Sequence, residues 1–183
     1  MELLPAFLKL AGRRVVVVGG GVVAASKLDA LLRAGADVSV IAPEIHPAIR
    51  SAGVALEERP FEAADLDGAW FVVAAATPAV NAVVAREAGA RHLFVNAVDD
   101  PPNASVYLGG VVRRAGVTVA ISTSGEAPAL AGVLREAIDA VLPADLDRWT
   151  DCARAQRAAW KRDGVPMVER RPLLIAALKE LYP

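Results

Sequence analysis

The sequence has very few residues of the kinds that crosslink small folds or bind structural metals. Of its 183 residues, one is cysteine, Cys152, and two are histidine, His46 and His92. A single cysteine excludes an internal disulfide, and this set is too small for a multi-cysteine zinc or iron–sulfur site. We therefore expect no metal ligands in the chain and a reducing, cytoplasmic location.

The sequence also lacks an excess of charge of either sign and lacks long apolar runs. The chain has 20 Lys and Arg against 21 Asp and Glu, so its formal net charge is −1. A chain this close to neutral has no global positive field to attract nucleic acid or an anionic membrane. No apolar run approaches the roughly 18 residues of a membrane span, and the first ten residues lack the cationic region of a signal peptide. The sequence predicts neither a nucleic-acid nor a membrane partner.

Aromatic residues make up only 5% of the chain, whereas hydrophobic residues make up 55%. Small aliphatic side chains must therefore fill the core, which suits strands and helices that pack closely. At roughly 150 residues per domain, the length favours one main domain with an appendage over two full domains.

The first half of the sequence alternates continuous apolar runs with helical patterns. Val15–Val18 is a β-branched run of the kind found in parallel strands that are buried on both faces. The order of elements predicts an α/β, Rossmann-like, doubly wound parallel sheet whose ligands lie outside the carboxyl ends of the strands. The predicted strands are Val15–Val18, Asp37–Ala42, Val54–Glu58 at an edge, Trp70–Ala76 and Leu93–Val98, and the predicted helices are Val22–Ala34 and Pro78–Ala88, ended by Gly35 and Gly89.

The pattern changes after Asp100. Ser105–Val112 and Val117–Ser122 flank Arg113–Gly116, which indicates an antiparallel hairpin with a glycine turn. Helical patterns then cover residues 126–142, 145–162 and 172–181. We expect the Rossmann-like domain at residues 1–110, a dimerisation hairpin and helix at 111–143, and a small helical region at 144–183. This last third has too little core of its own, which favours completion by a second copy as a homodimer.

A glycine turn follows the first strand. Gly19, Gly21 and Ala24 fit the G-x-G-x-x-G/A pattern between a β-branched strand and the start of a helix. The glycines permit the tight turn and let a pyrophosphate approach the backbone, while the helix N-terminus offers unpaired N–H groups. Alternatively, the glycines serve the geometry of the turn alone. The strand–turn–helix context favours a dinucleotide.

The sequence favours NAD over NADP only modestly. No acidic residue ends the second strand, where a ribose ligand is expected; Ala42, Pro43 and Glu44 follow instead, and Glu44 is either that ligand or a solvated loop carboxylate. No arginine directly follows the strand to bind a 2′-phosphate, and the nearest downstream is Arg50. The residues we assign to the cofactor are Gly19, Gly20, Gly21, Val22, Val23, Pro43, Glu44 and Thr77.

Polar residues follow the later strands on the predicted ligand edge. Asp99 and Asp100 come directly after Asn96-Ala97-Val98, where a carboxylate can act as a general base, or else they cap the turn before Pro101. Ser122-Thr123-Ser124 precedes a helix, so these hydroxyls act as an N-cap, bind a carboxylate-bearing ligand, or do both. Arg113 is either solvated or a local cation for such a ligand.

Taken in order, the motifs resemble the N-terminal module of the siroheme synthase family. The likeness spans about residues 2 to 143 and includes a leading segment at residues 4–7. The motifs that carry it are Val15 to Gly21 with Val23-Ala24, Ala75-Ala76-Thr77, Asn96 to Asp99, Ala120 to Thr123, and Pro128 to Ala131 with Leu134-Arg135-Glu136.

The resemblance implies an oxidoreductase: NAD-dependent dehydrogenation of the tetrapyrrole precorrin-2 to sirohydrochlorin, in some members with insertion of ferrous iron by a lyase activity. It implies that Asp99 is the catalytic residue, that Thr123 takes part in substrate or metal handling, and that the protein is a homodimer. The residues that we assign to the substrate are Asn96, Ser122, Thr123, Ser124 and Arg113. It also implies that methylation comes from another protein. The alternative class is a non-catalytic NAD(H)-binding redox sensor.

Overall fold

The computed structural model describes residues 2–182, and these fall into two compact units that divide between Leu108 and Gly109. The first unit is a parallel sheet with helices on both faces, and the second is a two-stranded hairpin with three helices. No helix in the described part of the chain is both long and apolar enough to cross a membrane.

The sheet of the first unit is parallel throughout, with the strand order β3-β2-β1-β4-β5. The predicted doubly wound sheet is therefore confirmed, including the weak third strand at an edge. The chain reverses its direction of travel across the sheet between β1 and β4, so the carboxyl ends of these two strands form the ligand crevice of such folds. The strands are β1 (Arg14–Val18), β2 (Asp37–Ile41), β3 (Ala55–Glu57), β4 (Phe71–Ala74) and β5 (Phe94–Ala97).

Each face of this sheet is covered by helices and has its own core. Helices α1 (Val22–Arg33) and α2 (Pro47–Arg50) pack on one face, and α3 (Pro78–Ala90) packs on the other. Because side chains alternate along a strand, β1 contributes to both cores. The first core includes Val15, Val17, Leu28, Leu31 and Ile49, and the second includes Val16, Val18, Leu66, Val84 and Ala88.

Two helix ends test the glycine signals. Gly35 has φ +74°, and the N–H groups of Gly35 and Ala36 donate to the last turn of α1, as a C-terminal glycine cap requires. Gly89, however, lies inside α3, so the prediction that it ends this helix is wrong. The left-handed position falls instead on His92, with φ +56°, and Leu93 N–H closes the cap on Ala88.

The segment at residues 105–106 also differs from the prediction, which made Ser105 the start of a hairpin strand. The N–H groups of Ser105 and Val106 donate to the Val95 carbonyl, both at 2.9 Å, and Val95 N–H donates to Ser105 Oγ at 2.8 Å. This segment therefore covers the free edge of β5. An exposed strand edge is prone to pair with other chains, and the segment at residues 105–106 prevents such pairing at β5.

In the second unit, β6 (Gly110–Arg114) and β7 (Val117–Ile121) form the predicted antiparallel hairpin. The turn contains only Ala115 and Gly116, with φ of +49° and +78°, so Arg113 and Arg114 lie in β6 and not in the turn as predicted. Two left-handed residues give the turn the twist that suits paired strands.

Three helices complete the second unit, namely α4 (Pro128–Val141), α5 (Leu146–Arg162) and α6 (Met167–Lys179). The sequence pattern placed the start of α6 at Pro172. The helix begins earlier, at Met167, and Pro172 lies inside it. The start is fixed instead by Pro166 at the N-cap and by Arg170, whose guanidinium donates to the Val165 carbonyl at 2.8 and 3.0 Å.

Candidate functional site

The glycine turn is pressed between two other backbone segments. A Cβ on Gly19, which has φ +126°, would lie 2.2 Å from the Ala75 carbonyl oxygen after β4. A Cβ on Gly20 would lie 1.9 Å from the Glu44 carbonyl oxygen after β2. Both distances are shorter than any side chain tolerates, so Gly19 and Gly20 are required by the packing of the turn.

Gly21 is different, since a Cβ there would meet no atom within 4 Å. It is the N-cap of α1 and makes no side-chain capping hydrogen bond. Val22 and Val23 follow with exposed fractions of 68% and 45%. The start of α1 is therefore exposed and has no side-chain cap, as an anion-binding helix N-terminus requires. Gly19 and Gly20 therefore serve the geometry of the turn, whereas the surroundings of Gly21 leave room for a ligand.

A cleft with almost purely apolar walls lies beside the turn, at the carboxyl ends of β1 and β2. We call it the apolar cleft; its volume is about 490 Å³. This is within the usual range for a small-molecule site. Its lining contains Val18, Gly19, Ile41, Ala42, Pro43, Pro60, Phe61, Ala76, Thr77, Ala79, Val80 and Val83.

The loop that brings Phe61 to the apolar cleft is fixed by an ion pair. Arg59 donates to both carboxylate oxygens of Asp65, at 2.9 and 2.6 Å, and Glu62 N–H donates to Asp65 at 2.8 Å. Asp65 is 8% exposed, and its hydrogen bonds with Arg59 lower the pKa of its carboxyl group. A two-point contact of this kind fixes loop geometry better than a single bond does.

The residues after β2 occupy defined positions. Pro43 lines the apolar cleft, whereas the exposed Glu44 contributes its carbonyl to the contact with Gly20. Arg50 is bound to Glu58 by two contacts of 2.6 Å, and its Nε donates to the Ile45 carbonyl. The nearest arginine after β2 is thus already paired with a carboxylate.

A second cleft, of about 430 Å³, lies at the carboxyl ends of β4 and β5. We call it the Asp99 cleft. It brings together the start of α1, the end of β4, the start of α3 and the turn after β5. Its lining contains Val23, Ala75, Ala76, Pro78, Asn81, Val98, Asp99, Asp100 and Asn103.

The two aspartates of this cleft have different roles. Asp100 accepts a hydrogen bond from Asn103 Nδ2 at 2.9 Å, so its carboxylate stabilises the following turn. Asp99 is exposed, and its side chain makes no hydrogen bond or ion pair with any residue in 2–182. It has φ +54°, a left-handed conformation that is uncommon outside glycine and is found preferentially at functional sites. Asp99 is the carboxylate that can act on a ligand.

The lining of the Asp99 cleft includes no lysine or arginine. An acidic ligand should require local cations, and the candidates are Arg113, named above, and two further arginines, Arg114 and Arg135. All three lie in the second unit. There, Arg114 binds Asp139 at 2.6 Å and Arg135 binds Glu136 at 2.9 Å, whereas Arg113 forms no ion pair within residues 2–182.

The remaining candidates make local hydrogen bonds, although the buried Asn96 Oδ1 has no partner among the described residues. Asn96, 6% exposed, donates from Nδ2 to the Val106 carbonyl at 2.9 Å and lines neither cleft. Ser122 Oγ accepts from Ser124 N–H at 3.1 Å, and Thr123 Oγ1 accepts from Ala127 N–H at 3.3 Å. Ser122 and Thr123 thus support the turn that precedes α4.

Sequence reasoning missed Asn81 and Phe61. Asn81 lies three residues before Val84 and seven before Ala88, so the helical period already placed this polar residue on the buried face of α3. Phe61 gave no comparable signal, because it lies in an irregular loop whose position depends on Arg59 and Asp65.

Comparison with known proteins places this geometry in a family context. Residues 6–110 match the model of the family described as "Putative NAD(P)-binding". Siroheme synthase 1 of Cronobacter sakazakii is 46% identical over 162 residues, which are 84% of this chain and 34% of that protein. Siroheme synthase of Sodalis glossinidius is 42% identical over 176 residues, which are 93% of this chain and 37% of that protein. The chain spans about a third of the length of these curated relatives.

Among solved structures, the protein named "SirC, precorrin-2 dehydrogenase" has a similar fold, with a TM-score of 0.73 and 24% sequence identity. The likeness covers 95% of this chain and 88% of that one. It confirms the Rossmann-like α/β class predicted from the sequence.

The glycine turn generates the first prediction. Gly20→Ala forces a Cβ into the Glu44 carbonyl and should lower the free energy of unfolding by about 1–3 kcal/mol. Gly21→Ala meets no protein atom, so it should leave stability unchanged but weaken dinucleotide binding by about tenfold or more, since the methyl group occupies ligand space. Urea unfolding and calorimetric titration measure the two effects. Dinucleotide affinity unchanged in Gly21→Ala would show that this turn does not contact a ligand.

Proposed function

The chain belongs to the NAD(P)-binding family, and from this membership and its homology to part of the siroheme synthases we propose that it catalyses the NAD-dependent dehydrogenation of precorrin-2 to sirohydrochlorin. The observation that carries the proposal is the Asp99 cleft, in which a carboxylate without a protein partner lies beside the start of α1. The siroheme synthases and the similar precorrin-2 dehydrogenase suggest the reaction, and the cleft supplies a group suited to it.

The residues at the crevice fit a dinucleotide. The open space at Gly21 and the uncapped start of α1 suit a pyrophosphate, and the apolar cleft with Pro43 and Thr77 suits the adenosine half. This leaves the Asp99 cleft for the nicotinamide half. When bound there, NAD supplies a hydride acceptor.

Dehydrogenation removes one hydride and one proton from precorrin-2, so a base is needed for the proton. Asp99 provides a carboxylate that is not engaged with the protein, whereas Asn103 keeps Asp100 in the turn. We assign proton acceptance to Asp99 and a structural role to Asp100. Ser122, Thr123, Ser124, Asn96 and Arg113 remain proposed substrate contacts.

Precorrin-2 turnover tests the proposal directly. Purified protein mixed anaerobically with precorrin-2 and NAD should form NADH, measured by its absorbance. Asp99→Asn should lower kcat by about 100-fold or more, the usual contribution of a general base, without weakening NAD binding. Asp100→Asn is the matched control and should keep most of the activity, because its amide oxygen can still accept the hydrogen bond from Asn103.

The same proteins distinguish the other functions. Folded wild type that binds NAD but neither binds nor oxidises precorrin-2 would indicate a redox sensor and contradict the proposal.

Iron insertion is a separate proposal from the resemblance, in which Asp99 would accept pyrrole protons. Sirohydrochlorin and ferrous ion are supplied without nucleotide, and a rate equal to the protein-free control would exclude it.

We also propose that the cofactor is NAD and not NADP, because Arg50 is paired. Its guanidinium makes two hydrogen bonds to Glu58, and these lower the pKa of the Glu58 carboxyl group. A 2′-phosphate on the ribose would need a cation that is not already neutralised.

Releasing Arg50 tests this preference. The wild type should bind NAD at least about tenfold more tightly than NADP, and Glu58→Gln should reduce the ratio by improving NADP binding alone. Asp29→Asn, which releases Arg33 from a comparable exposed ion pair on α1, is the control and should change neither affinity. A wild type that prefers NADP would contradict the assignment.

A homodimer is the proposed assembly, supported by an apolar stripe along α4. Leu130, Val133, Leu134 and Val141 are 40–79% exposed and recur at helical spacing. The opposite side of α4 packs on the hairpin, where Ala131 is buried. A contiguous exposed apolar stripe of this kind marks an interaction surface.

Sedimentation tests this assembly. The wild type should sediment as a dimer, and Val133→Glu should give folded monomers because it places a charge within the apolar stripe. Glu136→Lys alters charge on α4 outside the stripe and should leave the dimer intact. A monomeric wild type at micromolar concentration would refute the proposal.

A further inference from the structure

Asn81 is the one buried polar side chain in the lining of the Asp99 cleft that the proposed reaction does not use. It lies one turn into α3 and is 3% exposed. The other buried positions of α3 are Val84 and Ala88, so packing alone would favour an apolar residue here. A buried amide persists where its hydrogen bonds require it.

One half of the amide is fixed by the protein. Asn81 Oδ1 accepts a hydrogen bond from Ala76 N–H at 3.0 Å. A backbone N–H can only donate, so this contact determines which amide atom is oxygen and leaves Nδ2 as the other. Among residues 2–182 Nδ2 has no hydrogen-bond acceptor, although its residue lines the cleft.

The bond to Ala76 also connects Asn81 to the glycine turn. Ala75 N–H donates to Val18 O at 2.8 Å, and the carbonyl of Ala75 is the group that approaches Gly19. Ala76 lines both clefts. Asn81 therefore fixes the segment that separates the two clefts and directs a free N–H donor into one of them.

We propose that Asn81 is a binding residue for the nicotinamide half of the dinucleotide, to which Nδ2 donates a hydrogen bond at an acceptor oxygen of the ribose or carboxamide. The inference rests on the proposed function, because it requires the nicotinamide half to occupy the Asp99 cleft. It predicts that Asn81 discriminates between ligands that have this half and ligands that lack it.

The test compares NAD with ADP, which keeps the adenosine and pyrophosphate but lacks the nicotinamide half. Asn81→Asp retains an oxygen for Ala76 N–H and loses the donor, and Asn81→Ser removes the amide without adding a buried charge. Calorimetric titration of the full chain gives both dissociation constants, and thermal unfolding reports stability. We expect the ratio Kd(NAD)/Kd(ADP) to rise about threefold to tenfold in both variants, as loss of one hydrogen bond predicts.

The outcomes separate the alternatives. A structural role alone would shift NAD and ADP equally, and charge repulsion on the pyrophosphate would shift both in Asn81→Asp only; either result overturns the proposal. An unchanged ratio in Asn81→Ser overturns it even where Asn81→Asp fails to fold. A wild type that binds neither NAD nor ADP would refute the proposed function itself. If the wild type binds both and the variants leave Kd(NAD)/Kd(ADP) unchanged, only the role of Asn81 is refuted.

Discussion

The contact on which the site depends is that of three backbone segments at the carboxyl ends of β1, β2 and β4. The carbonyls of Glu44 and Ala75 lie where a side chain on Gly20 or Gly19 would be. Because only hydrogen atoms separate these segments, the turn after β1 has a fixed position relative to both neighbouring strands. The apolar cleft is bounded by Gly19 of this turn, and the Asp99 cleft is bounded by Val23 in the helix that follows the turn. Ala76, after β4, lines both clefts.

Polar contacts around the turn stabilise its surroundings and leave specific atoms free. Arg59 and Asp65 fix the loop of the apolar cleft, and Asn103 fixes Asp100. In contrast, the carboxylate of Asp99 and the side-chain nitrogen of Asn81 have no hydrogen-bond partner in the described chain. An uncompensated polar atom costs stability unless it meets water or a ligand, so free groups that line a cleft indicate function better than paired groups do.

The sequence was sufficient for the sheet because continuous β-branched runs and helical periods extend over several residues. The sequence did not predict helix ends that depend on a single residue. The left-handed residue after α3 is His92 and not Gly89, and Pro172 lies inside α6 instead of at its start. In the site, the position of Asp99 was predictable from the strand that precedes it. Its distinction from Asp100 was not, because that depends on where Asn103 lies after folding.

The charge of the Asp99 cleft limits what the first unit can do alone. A dinucleotide needs little positive charge here, because a helix N-terminus meets its pyrophosphate. A substrate with many carboxylates is different: placed beside Asp99 and Asp100 without a cation, it would be repelled from the base that should receive its proton. The lining offers no such cation. If the substrate is a polycarboxylate, the groups that neutralise it must therefore lie outside this lining, in the rest of the chain or in a second copy.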